Sequence, residues 1–466
     1  MESTGVSPPP VATVAEPLPR RRLIFAIVSI ALFMASIDAT IVASALPSIQ
    51  ADLGARVTWS GWTITIYMLG QVLTMPVAGR ISELYGRKKV LLIAVALFTV
   101  ASLACGFADD IGMLVVLRAV QSVGGGAFMP SATGIVAEHF GEGRDRALGM
   151  FTSILPVGGL IGPVTGGLFA EYWSWRGIFL VNVPIGIALI LLGARFLPAS
   201  EPRPGRKIDL LGVLLLGVMV LAGMFGITYL GNGSVSLADP VFLACEGTAI
   251  VVGVLFVRHA KRHEAPFIPL ELVRGRGFGV MNLFNVVFGA CAVGFGALVP
   301  LYAEHRFGIH AAAAGTLLTA RAVGSVCVAG LAVLALRRTG HRLPMLVGYL
   351  CTATGLVCLS FAPHGVTPYL WLSIAAGITG IGMGMSMPAS NNASLQLAPD
   401  QAAAIAGLRG MFRLSGSITA VSVATAIIAR SSDPGMAQAY VFVVFAGVMV
   451  AVLPLLRLVP DHRGSW

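Results

Sequence analysis

Charged side chains are scarce in this sequence. Asp, Glu, Lys and Arg make up 11% of its 466 residues, whereas 56% are hydrophobic and the mean hydropathy is +0.86. A soluble domain carries about 25% charged residues. The scarcity excludes an ordinary soluble domain and predicts an all-α membrane protein that crosses the bilayer many times.

Cysteine and histidine are also few, and neither is placed for catalysis. The six cysteines fall inside apolar segments, so we expect no disulfide framework and no zinc site. The eight histidines lie in or at the edge of loops, and no span carries an acidic pair at i,i+3 or i,i+4 spacing. We therefore expect no enzyme, no metal site and no cofactor.

Lysine is the rarest charged residue, and none of its four copies follows a glycine. The GxxxxGK[ST] loop is thus absent, which excludes an ATP-driven pump unless a partner supplies ATP. No polar filter repeated by symmetry is visible, which disfavours a channel. The basic residues punctuate apolar spans instead of clustering, so the net charge of +10 does not indicate a nucleic-acid partner. Secondary transport is the class that remains.

Long apolar segments are what the chain has in abundance. A helix needs about 20 such residues to cross a bilayer core. Fourteen segments meet this requirement: 23–45, 58–78, 90–107, 111–137, 147–170, 177–197, 210–230, 240–257, 279–302, 312–336, 343–362, 367–390, 402–429 and 437–457. An even number of spans places both termini on the same side of the membrane.

Arginine and lysine favour alternate loops. Of the 31, 23 lie in the termini and loops on one side or at the span ends next to them, and only four lie in the opposite loops. Because positive residues mark the cytosolic side, we predict a multi-pass protein of the cytoplasmic membrane with both termini in the cytosol.

The spans divide six, two and six, which indicates two related bundles joined by an inserted helix pair. The segment PFIPLELV in the second linker is expected to lie in the membrane interface as a short amphipathic piece. The predicted organisation is a disordered cytosolic tail (1–19), a six-helix bundle (20–198), a connector with two inserted helices (199–257), a cytosolic or interfacial linker (258–278), a second six-helix bundle (279–457) and a cytosolic tail (458–466).

The fifth span contains the sequence LPVGGLIGPVTGG. Gly158, Gly162 and Gly166 recur every four residues and would form a smooth ridge on a helix, where a neighbouring backbone can approach closely. Pro163 leaves the carbonyl of Gly159 without its helical partner and predicts a bend. By itself, such a ridge indicates only a tightly packed helix pair.

The full spelling GxxxGPxxGG, which includes Gly167, is more specific. It resembles the antiporter motif found in the fifth helix of exporters of the major facilitator superfamily. The resemblance implies two pseudo-symmetric six-helix bundles with the substrate site at their interface.

A second match follows the second span. Gly79, Glu83, Gly86 and Arg87 resemble the cytoplasmic signature of the superfamily, with Glu83 in place of the usual Asp. The basic residues alone would indicate an inside-positive anchor. By resemblance, Glu83 and Arg87 belong to a charge latch that holds the cytoplasmic side closed and breaks as the halves rock apart.

Three further stretches are similar to the fourteen-span drug:proton antiporters within this superfamily. They are residues 37–47, 118–126 and 175–184. Ala43 stands where that family often has Asn, and Ser122 stands in place of a Gly. The second half of the chain matches less well.

Asp38 and Arg118 are ionisable residues placed at about the same depth in the first and fourth spans. Both helices line the central cavity in the related fold, so the resemblance implies that the two side chains could meet across it. One interpretation is a static ion pair that steadies the bundle. The other is that Asp38 takes up a proton when substrate leaves, because burial and the Arg118 charge act on its pKa in opposite directions.

Glu246, Arg321 and Arg413 are candidates for a substrate site or a second proton site. Glu246 lies in the inserted pair, where snorkelling or pairing with a neighbouring backbone is the simpler expectation. We expect Arg321 and Arg413 to bond carbonyl oxygens beside glycine-rich breaks, with anion binding in the cavity as the alternative.

The sequence therefore predicts a monomeric, proton-coupled antiporter that exports amphipathic drugs or other small organic compounds by alternating access. One alternative is export of an endogenous lipid or anionic metabolite. An alternative from another class is a transporter-like receptor or scaffold without proton coupling.

Overall fold

A computed structural model describes residues 18–55, 57–199, 209–231, 235–263, 266–275, 277–309, 311–361 and 365–461. These residues form helices and no strand. Thirteen helical segments in the described part are long and apolar enough to cross a membrane. The remaining predicted span, 279–302, is also helical but interrupted. The all-α, many-span fold predicted from composition is thus confirmed.

The first half contains eight helices because two of its six spans are interrupted. The fifth span divides at Ser153 and the sixth at Val181. The helices are α1 (Leu18–Asp52), α2 (Val57–Tyr85), α3 (Arg87–Gly106), α4 (Ile111–His139), α5 (Arg144–Thr152), α6 (Ile154–Tyr172), α7 (Gly177–Leu180) and α8 (Asn182–Phe196), with a 3-10 turn at Gly141–Gly143.

The inserted pair, the linker helix and the second half follow. They comprise α9 (Leu210–Leu230), α10 (Pro240–Arg262), α11 (Leu270–Arg274), α12 (Phe278–Phe288), α13 (Phe295–Phe307), α14 (Ala311–Thr339), α15 (Arg342–Ser360), α16 (Pro368–Leu397), α17 (Ala402–Ala429) and α18 (Pro434–Ala451), with 3-10 turns at Pro399–Gln401 and Leu453–Leu458.

The ninth span is interrupted by a π-helical turn at Gly289–Val293, between α12 and α13. A Cβ at Gly289 would collide with the backbone carbonyl of Arg413 on α17, so only glycine permits this approach of the two helices. Arg321 Nη1 donates to the Ala292 carbonyl in the turn, at 3.2 Å. The Arg321 guanidinium thus donates to a backbone carbonyl in the π-helical turn, where the regular helical hydrogen-bond pattern changes.

Two apolar cores are buried, one mainly in the first half with contributions from α17 and the linker, and one in the second half. Phe98 and Phe128 lie in the first core with their ring centroids 5.3 Å apart, and Tyr349 and Phe284 lie in the second at 5.2 Å. In a bilayer the helices gain little from the hydrophobic effect, because lipid is as apolar as leucine. Close packing therefore holds these bundles together, and glycine-mediated contacts carry much of it.

The linker differs from its prediction. Phe267, Ile268 and Leu272 of PFIPLELV are only 3%, 6% and 5% exposed, and they share the first core with Ile405 and Leu408 of α17. The segment therefore packs onto the protein instead of presenting its apolar side chains to the membrane interface. An apolar pattern shows that a face is buried, but not whether lipid or protein buries it.

Asp209 holds three segments together at one end of the inserted pair. Its carboxylate accepts the Gly212 N–H at the start of α9 (2.8 Å), His259 Nε2 near the end of α10 (2.7 Å) and the Phe267 N–H in the linker (3.2 Å). Burial raises the pKa of Asp209, but these hydrogen bonds outweigh burial and leave the pKa below its ordinary value. The carboxylate is therefore ionised at neutral pH.

The terminal and connector predictions fall largely outside the described residues. Residues 1–17 and 200–208 are not described, and α1 already begins at Leu18, within the predicted tail. The start of the second predicted tail is packed. Val459 is buried, and Asp461 Oδ1 accepts the His341 N–H at 2.9 Å, close to the start of α15.

Candidate functional site

Asp38 on α1 and Arg118 on α4 form an ion pair inside the first half. Arg118 Nη1 lies 2.7 Å from Asp38 Oδ2, and the two side chains are 0% and 1% exposed. The structure thus places in contact the two residues that their estimated depths suggested could meet.

Two amides complete the pair, and the sequence analysis assigned neither of them a role. Gln121 Nε2 donates to Asp38 Oδ1 at 3.0 Å, and Asn182 Nδ2 donates to the same oxygen at 3.2 Å. Gln121 Oε1 also accepts from Arg118 Nη1 at 2.6 Å. The available signal was that Gln121 follows Arg118 by three residues, on the same face of α4.

Aromatic rings enclose the pair. The Arg118 guanidinium carbon lies 3.9 Å from the centroid of the Tyr67 ring and 5.7 Å from that of Phe179. Arg118 Nε also donates to the Thr63 carbonyl at 3.3 Å. Within the described residues, every one of these partners belongs to the first half. Asp38 and Arg118 therefore meet inside the first half in this conformation.

The glycine ridge of α6 packs on a neighbouring face of α1. A Cβ at Gly158, Gly162 or Gly166 would collide with the hydroxyl of Ser36, Thr40 or Ser44, respectively. Ser36 Oγ also donates to the Leu155 carbonyl at 2.8 Å. The glycine ridge thus lets α1 and α6 approach so closely that a small side chain of α1 can hydrogen-bond the backbone of α6.

The other motif residues of α6 behave differently. Among the described residues, nothing lies within 4 Å of a Cβ built at Gly159 or Gly167, so these two glycines do not mediate the contact. Pro163 lies inside α6, which is one helix from Ile154 to Tyr172. The interruption of this span occurs at Ser153, not at the proline, so the bend predicted at Pro163 does not divide the helix.

The latch residues join the two halves at the end of the molecule that carries Arg80, Arg87 and Arg144, which we call the basic end. Glu83 Oε1 accepts the N–H of Ala404 at 3.1 Å, in the first turn of α17. A carboxylate is favoured there because the N-terminus of a helix carries partial positive charge. A Cβ at Gly79 would lie 2.5 Å from the Ala403 carbonyl, so the two helices touch through backbone.

Arg87 and Gly86 serve the first half. Arg87 Nη1 donates to the Gly134 carbonyl at 2.6 Å and to Glu138 Oε2 at 3.1 Å, both on α4. Gly86 has a φ of 97°, a left-handed conformation that other residues rarely adopt, and it lets the chain turn directly from α2 into α3. Of the predicted latch residues, Gly79 and Glu83 therefore make the contacts across the halves.

Further hydrogen bonds close the basic end. Asn392 Nδ2 donates to the Asp145 carbonyl at 3.0 Å, and Gln396 Nε2 donates to Asp145 Oδ2 at 3.2 Å. Arg144 Nη2 donates to the Pro399 carbonyl at 3.2 Å. These bonds join α5 to α16 and the turn after it, so the conformation is one in which the two halves are in contact at this end.

The arginines of the second half have separate roles. Arg321 bonds a backbone carbonyl, as the sequence suggested, but Arg413 does not. Within the described part of the chain, its hydrogen-bonding contact is with Met129 Sδ on α4, at 3.8 Å. The guanidinium that reaches backbone from α17 belongs to Arg409, which donates to the Ser390 carbonyl at 2.8 Å.

Glu246 lies between the two inserted helices. A Cβ at Gly226 of α9 would lie 2.7 Å from Glu246 Oε1, and this oxygen is buried without a hydrogen-bond partner among the described residues. The partly buried side chain therefore packs with this oxygen against α9.

Two packed helical halves, an inserted helix pair and a polar network buried within the spans define a polytopic membrane transporter. The chain belongs to the Major Facilitator Superfamily, whose family model matches residues 28–421 and 281–466.

Relatives and solved structures agree with this assignment. The chain is 29% identical to Multidrug resistance protein 3 of Bacillus subtilis over 78% of this chain and 72% of that protein. It is 30% identical to the Multidrug resistance protein B homolog of Mycobacterium tuberculosis, over 79% and 69%. The crystal structure of the human organic anion transporter MFSD10 superposes with a TM-score of 0.67 at 14% identity, covering 95% of this chain and all of that one. At that identity the likeness concerns the fold alone.

Proposed function

We propose that this protein is a proton-coupled antiporter, which exports amphipathic drugs or other small organic compounds by alternating access. The buried pair of Asp38 and Arg118 carries the proposal. The multidrug names of its relatives support the substrate class, and the contacts at the basic end supply a closed state for the transport cycle.

A buried ion pair suits proton coupling because its energy depends strongly on protonation. Removing one charge from such a pair costs about 3–5 kcal/mol, since the other charge stays buried and uncompensated. Protonation of Asp38 therefore favours a rearrangement that gives Arg118 new partners or water. Asp38 lies on α1, and another face of α1 contacts the glycine ridge. A shift of α1 against α6 would thus change both contacts together.

The direct test is proton release on ligand binding. Detergent-solubilised protein in weakly buffered solution should acidify the medium when a transported amphiphile is added, because bound substrate favours deprotonated Asp38. A pH-sensitive dye measures the release, and buffer with ligand alone is the control. A receptor or scaffold without coupling would bind the ligand with no proton released, and that result would overturn the proposal.

A second candidate is export of an anionic metabolite or lipid. Arg409 and Arg413 line a small cavity with Asn285, Met129 and Thr152, where the first half meets the second. Asn391 lines the same cavity, and its Nδ2 is buried without a partner among the described residues. Cationic and amide donors without a neighbouring carboxylate would suit an acid group. A transport screen with paired acidic and cationic amphiphiles separates the two candidates.

We also propose that the basic end faces the cytosol, that both termini lie there and that the protein acts as a monomer in the cell membrane. Glu271 is an exposed residue of the linker, so a cysteine there can react with a reagent on the side that the linker faces. Glu271→Cys, in a variant whose six native cysteines are replaced, should resist a membrane-impermeant maleimide added to intact cells, because the linker would face the cytosol. Asp109→Cys, in the loop between α3 and α4, should be labelled. Labelling of position 271 from outside would reverse the topology.

A further inference from the structure

Two histidines and a carboxylate meet at one end of the inserted helix pair. His259 and His263 occupy successive turns at the end of α10, and their ring centroids lie 5.2 Å apart. Asp209 precedes α9. Each of the three offers a ligand atom, and these atoms all lie within 4.8 Å of one another. Asp209 is 50 residues from His259 in the sequence, and it lies beside the histidines because α9 and α10 run antiparallel.

The chemistry of this set points to one class of ion. Two imidazoles and a carboxylate suit Zn²⁺, whereas Mg²⁺ and Ca²⁺ prefer oxygen ligands throughout. Zn²⁺ binds imidazole nitrogen and carboxylate oxygen at about 2.0–2.2 Å, so its tetrahedral ligands stand about 3.3 Å apart. Asp209 Oδ1 and His259 Nε2 are 2.7 Å apart and form a hydrogen bond. If these two atoms moved slightly apart and the His263 ring rotated, all three ligand atoms would have the spacing of a tetrahedral Zn²⁺ site.

We propose that Asp209, His259 and His263 form a Zn²⁺ site, with water in the fourth position. On binding, Zn²⁺ replaces the proton on His259 Nε2, and that proton passes to the solvent. Asp209 is already oriented for this role by the N–H groups of Gly212 and Phe267. Outer contacts of this kind fix ligands in metal sites.

The position of the site gives the ion a structural effect. Asp209 begins α9, His259 and His263 end α10, and Phe267 continues into the buried part of the linker, beside α2 and α17. Zn²⁺ would therefore fix the inserted pair to the linker segment that packs at the junction of the two halves. This role is independent of proton coupling through Asp38.

Zinc titration of the full-length protein tests the site. The protein is purified without a polyhistidine tag, stripped with a chelator and titrated with Zn²⁺ against a chromophoric competitor. We expect one Zn²⁺ per chain, and Co²⁺ should give the visible absorption of a tetrahedral complex. His263→Gln should weaken binding by at least about 100-fold, because loss of an outer contact alone costs up to about that factor. His263 is exposed, so this variant should fold, which size-exclusion chromatography checks.

His305→Gln is the matched control. His305 is also an exposed histidine near a helix end, but within the described residues it belongs to no group of three metal-binding side chains. It should bind Zn²⁺ as the wild type does.

Asp209→Asn gives a second test, since asparagine can still accept the Gly212 N–H while it loses the charge. Equal Zn²⁺ affinity in the wild type and His263→Gln, or no stoichiometric binding by the wild type, would show that Asp209 and His259 form a hydrogen-bonded pair only.

Discussion

Asp38→Asn is expected to abolish proton-driven export while the protein remains folded in the membrane. Asparagine has the shape of Asp38 and can still accept the hydrogen bonds of Gln121 and Asn182 on its single carbonyl oxygen, but it cannot exchange a proton. Arg118 retains Gln121 Oε1, the Thr63 carbonyl and the Tyr67 ring as partners. Uptake into inverted vesicles under an imposed pH gradient measures the effect.

Two comparisons separate coupling from stability. Asp52→Asn removes a carboxylate at the exposed end of the same helix, where it pairs with Arg176, and it should export at near wild-type rate. The double variant Asp38→Asn with Arg118→Gln removes both buried charges. It should recover thermal stability relative to Asp38→Asn, because no uncompensated charge remains, yet it should not recover export. If Asp38→Asn alone concentrates substrate against its gradient, Asp38 is not the coupling group, and Glu246 is the next carboxylate to replace.

The ion pair could be predicted because helix geometry limits where a residue can lie. A span rises 1.5 Å per residue across a core of nearly fixed thickness, so sequence position gives depth. Depth does not give direction around the helix. The sequence therefore placed Asp38 and Arg118 at one level but could not show that the rings of Tyr67 and Phe179 lie beside the Arg118 guanidinium.

The same limit explains the error at Arg413. The small residues around it indicate that some guanidinium on α17 can reach backbone, and one does, but it is Arg409. The two arginines are four residues apart, and only the packing against α16 and α4 decides which of them points where. The grouping of Asp209 with His259 and His263 was hidden for a different reason, because it depends on how two helices pair.

The glycine ridge of α6 was predicted from the sequence, and the structure shows the surface that it contacts. The four-residue repeat predicted a close contact, and the structure shows Ser36, Thr40 and Ser44 of α1 as the surface it meets. These three residues also recur every four positions. The two complementary stripes place small side chains at this contact, without large side chains to interlock. Such a contact suits the proposed alternating-access cycle, in which α1 would shift against α6.

Gly162→Leu is expected to stop export by trapping one conformation, with the protein still inserted. At Gly162 even the Cβ would collide with Thr40 Oγ1, and it would lie 3.0 Å from the Ile37 carbonyl. Overpacking costs about 1–3 kcal/mol. Since about 1.4 kcal/mol is a factor of ten in an equilibrium, a strain felt in one state alone shifts the populations by up to about 100-fold. Uptake into inverted vesicles and accessibility of a cysteine at position 271 report activity and state.

Gly159→Leu provides the control, because it makes the same substitution in the same helix where nothing lies within 4 Å. Both variants gain the same helix propensity, so any difference between them arises from the contact with α1. A rescue test is sharper. Gly162→Ala should impair export, and adding Thr40→Ala should restore part of it, because the colliding hydroxyl is removed. Equal export by Gly162→Leu and Gly159→Leu would mean that α1 and α6 do not move against each other at the glycine ridge. The proposal that protonation of Asp38 changes the ridge contact through α1 would then also be wrong.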